Sequence, residues 1–232
     1  MQAVLLASGS GNRLLPLTQD RPKCLVAVNG KPLLQGIVEA LTAHGIQDLI
    51  VTTGPFPDQL ALFFETHTPS LHPTFVANPD YATTNAITSL WLTREKITED
   101  VLILHSDLLF DSSVLKPLLA CEGSGVLIHP TFLSLKDFQA HVVQDRVMKI
   151  GVRLAETHRH FLFPIYKLKF EDWLIWKDAI ERFIENGERN VYAEDAFNTI
   201  ADQFVLNAVY YDGFAMEVDD LEDYEKARAF LP

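Results

Sequence analysis

Four basic side chains, Arg13, Arg21, Lys23 and Lys31, fall in the segment GSGNRLLPLTQDRPKCLVAVNGKPLL at residues 9–34, where Asp20 is the one acid set against them. The segment follows directly on the apolar residues 3–7. A short buried strand running into a glycine turn exposes backbone N–H groups that receive anionic oxygens, and nearby cations add charge to such a pocket. Residue types of this kind, so spaced, suit the phosphates of a nucleoside triphosphate.

Carboxylates supply the opposite charge. VLILHSDLLF, residues 101–110, is an apolar strand that runs into Asp107, and in open α/β sheets the ligand crevice lies at the carboxyl ends of the strands. Near the end of the chain FAMEVDDLEDY, residues 214–224, offers Asp219, which would equally serve as a cap for a final helix. His105 alternates with Asp107 along the strand and shares its face, and it reads as a packed, hydrogen-bonded side chain. The other histidines lack metal-ligand spacing.

With 19 basic and 31 acidic side chains the formal net charge is −12, which disfavours a broad nucleic-acid or anionic-membrane surface. Apolar residues at 48% and charged residues at 22% fit an ordinary globular chain, and 232 residues suffice for one large core. Cys24 and Cys121 form neither a disulfide framework nor a CxxC metal motif, so a reducing cytoplasm is the expected setting. The start of the chain has no signal-peptide pattern, and no run of 18 apolar residues occurs, so neither export nor a membrane span is expected.

The elements that position these residues follow from hydrophobic patterning. Residues 2–6, 48–52, 74–77, 101–104 and 125–128 are short apolar runs of the kind buried on both faces of a sheet. Between them, residues 32–43, 57–65, 85–96 and 112–120 carry apolar positions at helical spacing. Pro32 and Pro57 suit the first turn of a helix, and Asp111 suits a cap. This order predicts an α/β, Rossmann-like fold with a mostly parallel sheet flanked by helices. After about residue 129 the rhythm changes. Residues 141–143, 146–150 and 161–168 read as strands and 171–186 as a helix, predicting a small inserted α+β subregion over the mouth of the sheet. Residues 206–211 and 214–218 then return as strands and 221–230 as a terminal helix. One domain is expected, with a core at 1–128 and 205–232 and an acceptor-binding lid at 129–204.

The glycine segment fails two common cofactor motifs. A dinucleotide fingerprint needs a third glycine where GSGNRL has Leu14, and no GxxxxGK[ST] loop is present. Residues 6–34, LASGSGNRLLPLTQDRPKCLVAVNGKPLL, instead closely resemble the signature of sugar-phosphate and choline-phosphate nucleotidyltransferases, with Ser8 where a small Ala or Gly is usual. NPDYATTNAITSLW, residues 78–91, is similar to the base- and ribose-contacting segment of the short choline-phosphate cytidylyltransferase form.

The resemblance implies a nucleotide-diphospho-sugar transferase-like fold and a set of roles. Leu6, Ala7, Gly9, Gly11, Asn78, Thr84, Asn85 and Ser89 would hold the nucleotide, although Asn85 also reads as a helix cap. Arg13 and Lys23 would act on the phosphates, with Arg21 and Lys31 as further cations of the segment, and Asp107 with Asp219 would bind Mg²⁺. The implied reaction joins a nucleoside triphosphate, CTP by the short middle section, to a small phosphomonoester or phosphonate and releases pyrophosphate. Tyr192, Glu194 and Asp195 are acceptor-site candidates. Phe132, Phe138, Trp173, Trp176 and Tyr192 could supply an aromatic box for an ammonium, but Trp173 and Trp176 stand at helical spacing that favours packing. Where the choline-binding aromatics of that group would align, this chain has Asp137, Ala193 and Glu194. A sugar-1-phosphate or polyol-phosphate acceptor therefore stays open. Of other classes, a non-catalytic nucleotide-binding regulatory domain is opposed by the complete set Gly11, Arg13, Lys23 and Asp107, and a nicotinamide oxidoreductase by the missing glycine.

Overall fold

A computed structural model describes residues 1–131 and 135–230. The chain opens with β1 (Gln2–Leu6), the short strands β2 (Ala27–Val28) and β3 (Lys31–Pro32), and α1 (Leu33–Ala43). Alternation continues through β4 (Asp48–Thr53), α2 (Pro57–His67), β5 (Thr74–Ala77), α3 (Ala86–Thr93) and β6 (Val101–His105). Next come β7 (Leu108–Phe110), α4 (Leu115–Ala120), β8 (Ser124–His129), β9 (Phe138–Val143), β10 (Arg146–Val152) and β11 (Arg159–Leu168). The chain closes with α5 (Phe170–Glu185), α6 (Ala193–Phe197), β12 (Leu206–Tyr210), β13 (Ala215–Glu217) and α7 (Leu221–Phe230). No helix among the described residues is long and apolar enough to cross a membrane.

Among the described residues nine strands form one mixed sheet in the order β5-β4-β1-β6-β11-β8-β12-β10-β9. β5, β4, β1 and β6 run parallel to one another, as do β8 and β12. β11 enters from the middle section, between β6 and β8 and antiparallel to both. The section expected over the mouth of the sheet thus also provides a central strand. The physical reason lies in its composition: residues 161–168 are buried throughout, and such a strand is stable only with layers on both faces.

Alternate side chains of each strand serve opposite faces. Val4, Ile103 and Leu162 pack with Ile87 and Leu90 of α3, Trp173 and Trp176 of α5, and Phe197 of α6. Ala3, Leu5, Leu102 and Leu104 pack on the other face against α1, α2 and α4. Trp173 and Trp176 are 0% and 1% exposed, which settles them as core, each burial contributing about 1.5–3 kcal/mol.

Three local departures from the sequence reading have simple causes. Pro32 pairs with Ala27 and precedes α1 in extended backbone, φ −58° and ψ 142°, whereas Pro57 occupies the first turn of α2 as expected. Asp111 precedes a 3₁₀ turn without a side-chain cap, its Oδ2 accepting instead from the Phe214 N–H. The β2–β3 hairpin turns on Asn29 and Gly30 at φ 49° and 86°, the Asn-Gly pairing that favours two-residue turns.

Register determines what meets at the carboxyl end of the sheet. Leu6 pairs with His105, so the loops after β1 and β6 leave the sheet side by side. β13 runs antiparallel to β7 with Glu217 opposite Leu108, and the Val218 N–H donates to the Asp107 carbonyl at 2.9 Å. Leu14, Val28, Leu33, Val218 and Ala227 form a third apolar cluster that ties the glycine segment, the hairpin and β13 to α7.

Candidate active site

The glycine turn is fixed by close contacts on two sides. Gly11 lies at φ +68°, and a Cβ there would meet Thr18 Cγ2 at 3.0 Å. Thr18 Oγ1 donates to the Gly11 carbonyl at 2.8 Å, and the Leu14 N–H donates to the same carbonyl at 3.0 Å. On the other side Gly54, just past β4, presses so near Ser8 that an added Cβ would fall 2.1 Å from the Ser8 carbonyl oxygen. The Ala7 N–H donates to Thr52 Oγ1 at 2.9 Å, and Ser8 Oγ shares a 2.6 Å hydrogen bond with Ser89 Oγ of α3. The serine that departs from the signature thereby ties the turn to α3.

Lys23 lies on a 3₁₀ turn, residues 23–25, beneath this loop. Its ammonium donates to Asp107 Oδ2 at 2.5 Å and to Asp219 Oδ1 at 2.6 Å, and an Arg13 NH2 lies 3.0 Å from the same Asp219 oxygen. Burial works against charge on Lys23, but the two carboxylates outweigh it and hold the ammonium protonated more firmly than usual. Burial likewise raises the Asp107 carboxyl, and the Lys23 charge, with His105 and a hydrogen bond behind it, brings it below the ordinary value. Glu217 goes the other way: burial and the nearby Asp107, Asp219 and Asp137 push it well above the carboxylate range. Among the described residues, the buried Asp107 Oδ1 and Glu217 Oε1 have no hydrogen-bond partner. Carboxylate oxygens with unspent acceptor capacity are the donor set a hard divalent cation takes, and Asp107 supplies one, whereas Asp219 Oδ1 is engaged by Lys23 and Arg13.

These groups share one cleft of about 390 Å³. Its walls include Leu6, Gly9, Gly11, Arg13, Lys23, Asn78, Thr84, Asn85, Ser89, Asp107, Tyr192 and Asp219, all expected from the sequence. Asn78 Nδ2 donates to Thr84 Oγ1 at 3.1 Å and to Ser89 Oγ at 3.0 Å, making one polar patch with Ser8. Asn85 Oδ1 accepts from the Ala86 N–H at 2.7 Å, so it caps α3 while also facing the cleft.

Other expected residues lie elsewhere. Ala7 is 5% exposed and sits behind the turn rather than on the cleft wall. Glu194 is buried in the core, where Tyr166 donates its hydroxyl to Oε1 at 2.6 Å. Asp195 accepts from the Tyr192 N–H at 2.9 Å and caps α6, and neither acid lines the cleft. The cause in both cases is α6, whose first turn directs Glu194 inward and ties Asp195 to its own backbone. Arg21 pairs with Asp20 and Lys31 with Glu39, both away from the cleft. Phe138 meets Tyr192 edge-on at 4.9 Å between ring centroids, and Phe132 lies outside the described residues. Burial pushes the Cys24 thiol up to about 12, which leaves it without nucleophilic character.

The sequence reading gave no site role to Tyr81, Lys136 or Glu217, named Ser8 and Asp137 only as departures from the family pattern, and gave His105 only a packing role; all six line the cleft. For Glu217 a signal existed. It stands two residues before Asp219, as His105 stands two before Asp107, and period two puts both pairs on one face. No such signal marks Lys136, which reaches Asp220 at 3.1 Å and Asp223 at 2.5 Å across the chain.

A family model described as nucleotidyl transferase matches residues 2–121. Choline-phosphate cytidylyltransferase of Streptococcus pneumoniae is 28% identical over 247 residues, covering 100% of this chain and 98% of that protein. The 2-aminoethylphosphonate cytidylyltransferase of Lancefieldella rimae is 29% identical over 214 residues, covering 84% of this chain and 85% of its own. Among solved structures, CTP:phosphocholine cytidylyltransferase from Streptococcus pneumoniae superposes with a TM-score of 0.87 at 23% identity, covering 100% of this chain and 99% of that one. That likeness establishes the fold.

Proposed function

The chain belongs to the nucleotidyl transferase family, and from that premise we propose that it moves the cytidylyl group of CTP onto a small phosphate- or phosphonate-bearing acceptor. The observation that carries this reading is the position of Lys23. Its ammonium stands between Asp107 and Asp219, in the same cleft as the glycine turn and the Asn78 patch. A triphosphate laid along the turn meets cations and carboxylates together. The cytidylyltransferase names of the two aligned relatives support CTP as donor, and those names also support an acceptor with a phosphate or phosphonate end.

In the reaction, an oxygen of the acceptor phosphate attacks the α-phosphorus of CTP in line and forms a new O–P bond. The bond from the α-phosphorus to the oxygen bridging to the β-phosphorus breaks, and pyrophosphate leaves with that electron pair. No proton need be removed from an ionised acceptor phosphate, so the work is positioning and charge neutralisation. Lys23 orients the attacking and α-phosphate oxygens, and Arg13 stabilises the departing pyrophosphate. Asp107 and Asp219 are the residues that would hold Mg²⁺, which when bound neutralises phosphate charge as a Lewis acid. Asn78, Thr84, Asn85 and Ser89 offer donors and acceptors to base and ribose.

Incubation of the protein with Mg²⁺, each of the four ribonucleoside triphosphates and a panel of phosphomonoesters and phosphonates, read as pyrophosphate release, tests the reading. Turnover with CTP and a subset of acceptors is expected. Absence of pyrophosphate in every combination overturns it.

A further inference from the structure

The start of α7 gathers more negative charge than its own helix balances. Asp219, Asp220 and Asp223 stand close together in the chain, and Asp223 is only 4% exposed. They form a reciprocal cap: Asp220 Oδ1 accepts from the Asp223 N–H at 3.0 Å, and Asp223 Oδ2 accepts from the Asp219 N–H at 3.2 Å. The cations of α7 serve other acids, Lys226 pairing with Glu222 and Arg228 with Glu225. The balancing charge comes from another part of the chain. Lys136, just before β9, donates to Asp223 Oδ1 at 2.5 Å and to Asp220 Oδ2 at 3.1 Å. A buried carboxylate stripped of its cation is costly, so without Lys136 the Asp223 side chain turns toward water and leaves the Asp219 N–H. That peptide matters because Asp219 Oδ1 holds the Lys23 ammonium at 2.6 Å and Arg13 at 3.0 Å. The backbone is fixed ahead of it by the Val218 N–H on the Asp107 carbonyl, and at its own N–H by Asp223.

We propose that Lys136 is a positioning residue for the transfer reaction: by neutralising Asp220 and Asp223 it fixes the Asp219 peptide, and through it the contacts of Asp219 with Lys23 and Arg13. The kinetic consequences rest on the function proposed above, whereas the state of the Asp219 N–H can be read without turnover. Lys136 also lines the cleft, so direct contact with substrate is the rival role.

The test combines kinetics with amide exchange on the full chain. Lys136→Met should lower kcat about tenfold and move the KM for CTP less than about threefold. Lys136→Arg should restore kcat, because the lysine side chain is 42% exposed and a guanidinium has room to fork between two carboxylates. Asp223→Asn removes the charge but keeps an acceptor for the Asp219 N–H. In that background Lys136→Met should therefore change kcat by less than about twofold. Unchanged kcat in Lys136→Met overturns the proposal, and so does a tenfold loss that persists beside Asp223→Asn, which would mean that Lys136 meets substrate itself. Amide hydrogen exchange at Asp219, followed by NMR without nucleotide, decides the matter even if the unsubstituted protein shows no turnover. Exchange should quicken about tenfold in Lys136→Met, return in Lys136→Arg and leave the amides of β1 and β6 unchanged. Equal Asp219 exchange in all three proteins, or quickening throughout β1 and β6 as well, would overturn the assignment.

Discussion

Gly54→Ala probes how far the phosphate loop depends on a contact outside the signature. The new methyl carbon would lie 2.1 Å from the Ser8 carbonyl oxygen, 2.8 Å from its carbon and 3.1 Å from its Cα. All three are backbone atoms, so no flexible side-chain end gives way. Ordinary contact begins at 3.4 Å, so Ser8 and Gly54 must separate by about 1.3 Å. Ser8 is held to Ser89 and its neighbour Ala7 to Thr52, so the shift either breaks those bonds or carries the glycine turn away from Lys23. Overpacking of this kind costs about 2 kcal/mol, which lowers the melting temperature of a chain this size by roughly 4–8 °C. A misplacement near 1 Å costs about a hundredfold in kcat/KM. The assay is pyrophosphate release against CTP concentration, with a thermal melt alongside. Gly36→Ala is the control: nothing lies within 4 Å of its added Cβ inside α1, and helix propensity predicts a gain of up to about 1 kcal/mol with unchanged kinetics. If Gly54→Ala keeps both the melting temperature and the kcat/KM of the unsubstituted protein, the argument that β4 sets the loop is refuted.

Lys23→Met should lower turnover by about 10²–10³-fold. Lys23→Arg should fail to restore it, because a planar guanidinium does not fit where the ammonium bridges two carboxylates; full turnover in Lys23→Arg counts against the clamp. Asp100 accepts from the Phe170 N–H and from Lys169, both at 2.9 Å. Burial raises its carboxyl, but these partners outweigh burial and bring it below the ordinary value of 3.8. Its stabilisation is therefore complete above 3.8 and disappears as pH falls through the lower folded value. Asp100→Asn should unfold about 1 kcal/mol more easily at neutral pH, and a urea midpoint gap that persists in strong acid contradicts the assignment. Tyr166→Phe leaves buried Glu194 Oε1 without its donor and should cost about 1–3 kcal/mol, so a urea midpoint equal to that of the unsubstituted protein would show that the pair contributes nothing.

Part of this protein is legible from neighbouring residues alone. Gly9, Gly11, Arg13 and Lys23 lie within one short stretch, and their chemistry depends on local turn geometry that composition announces. The order of β1, β4, β5, β6 and β8 with the four helices between them is readable for a similar reason, since burial on both faces demands unbroken apolar runs separated by amphipathic ones, whereas the strands β2, β3 and β7 are too short to carry such a run. Asp107 is visible because it follows such a run.

The remainder is set by long-range packing. That β11 enters the centre of the sheet depends on which strand completes the core, and its own sequence would serve equally at another position. That Glu194 turns into the core while Glu217 faces the cleft depends on how α6 and β13 are docked, because both are acids in acidic surroundings. The Gly54–Ser8 contact and the Lys23 bridge from Asp107 to Asp219 join residues far apart in the chain. Short-range sterics and apolar periodicity are written in adjacent residues; side-chain direction and the meeting of distant charges are fixed only when strands take their register.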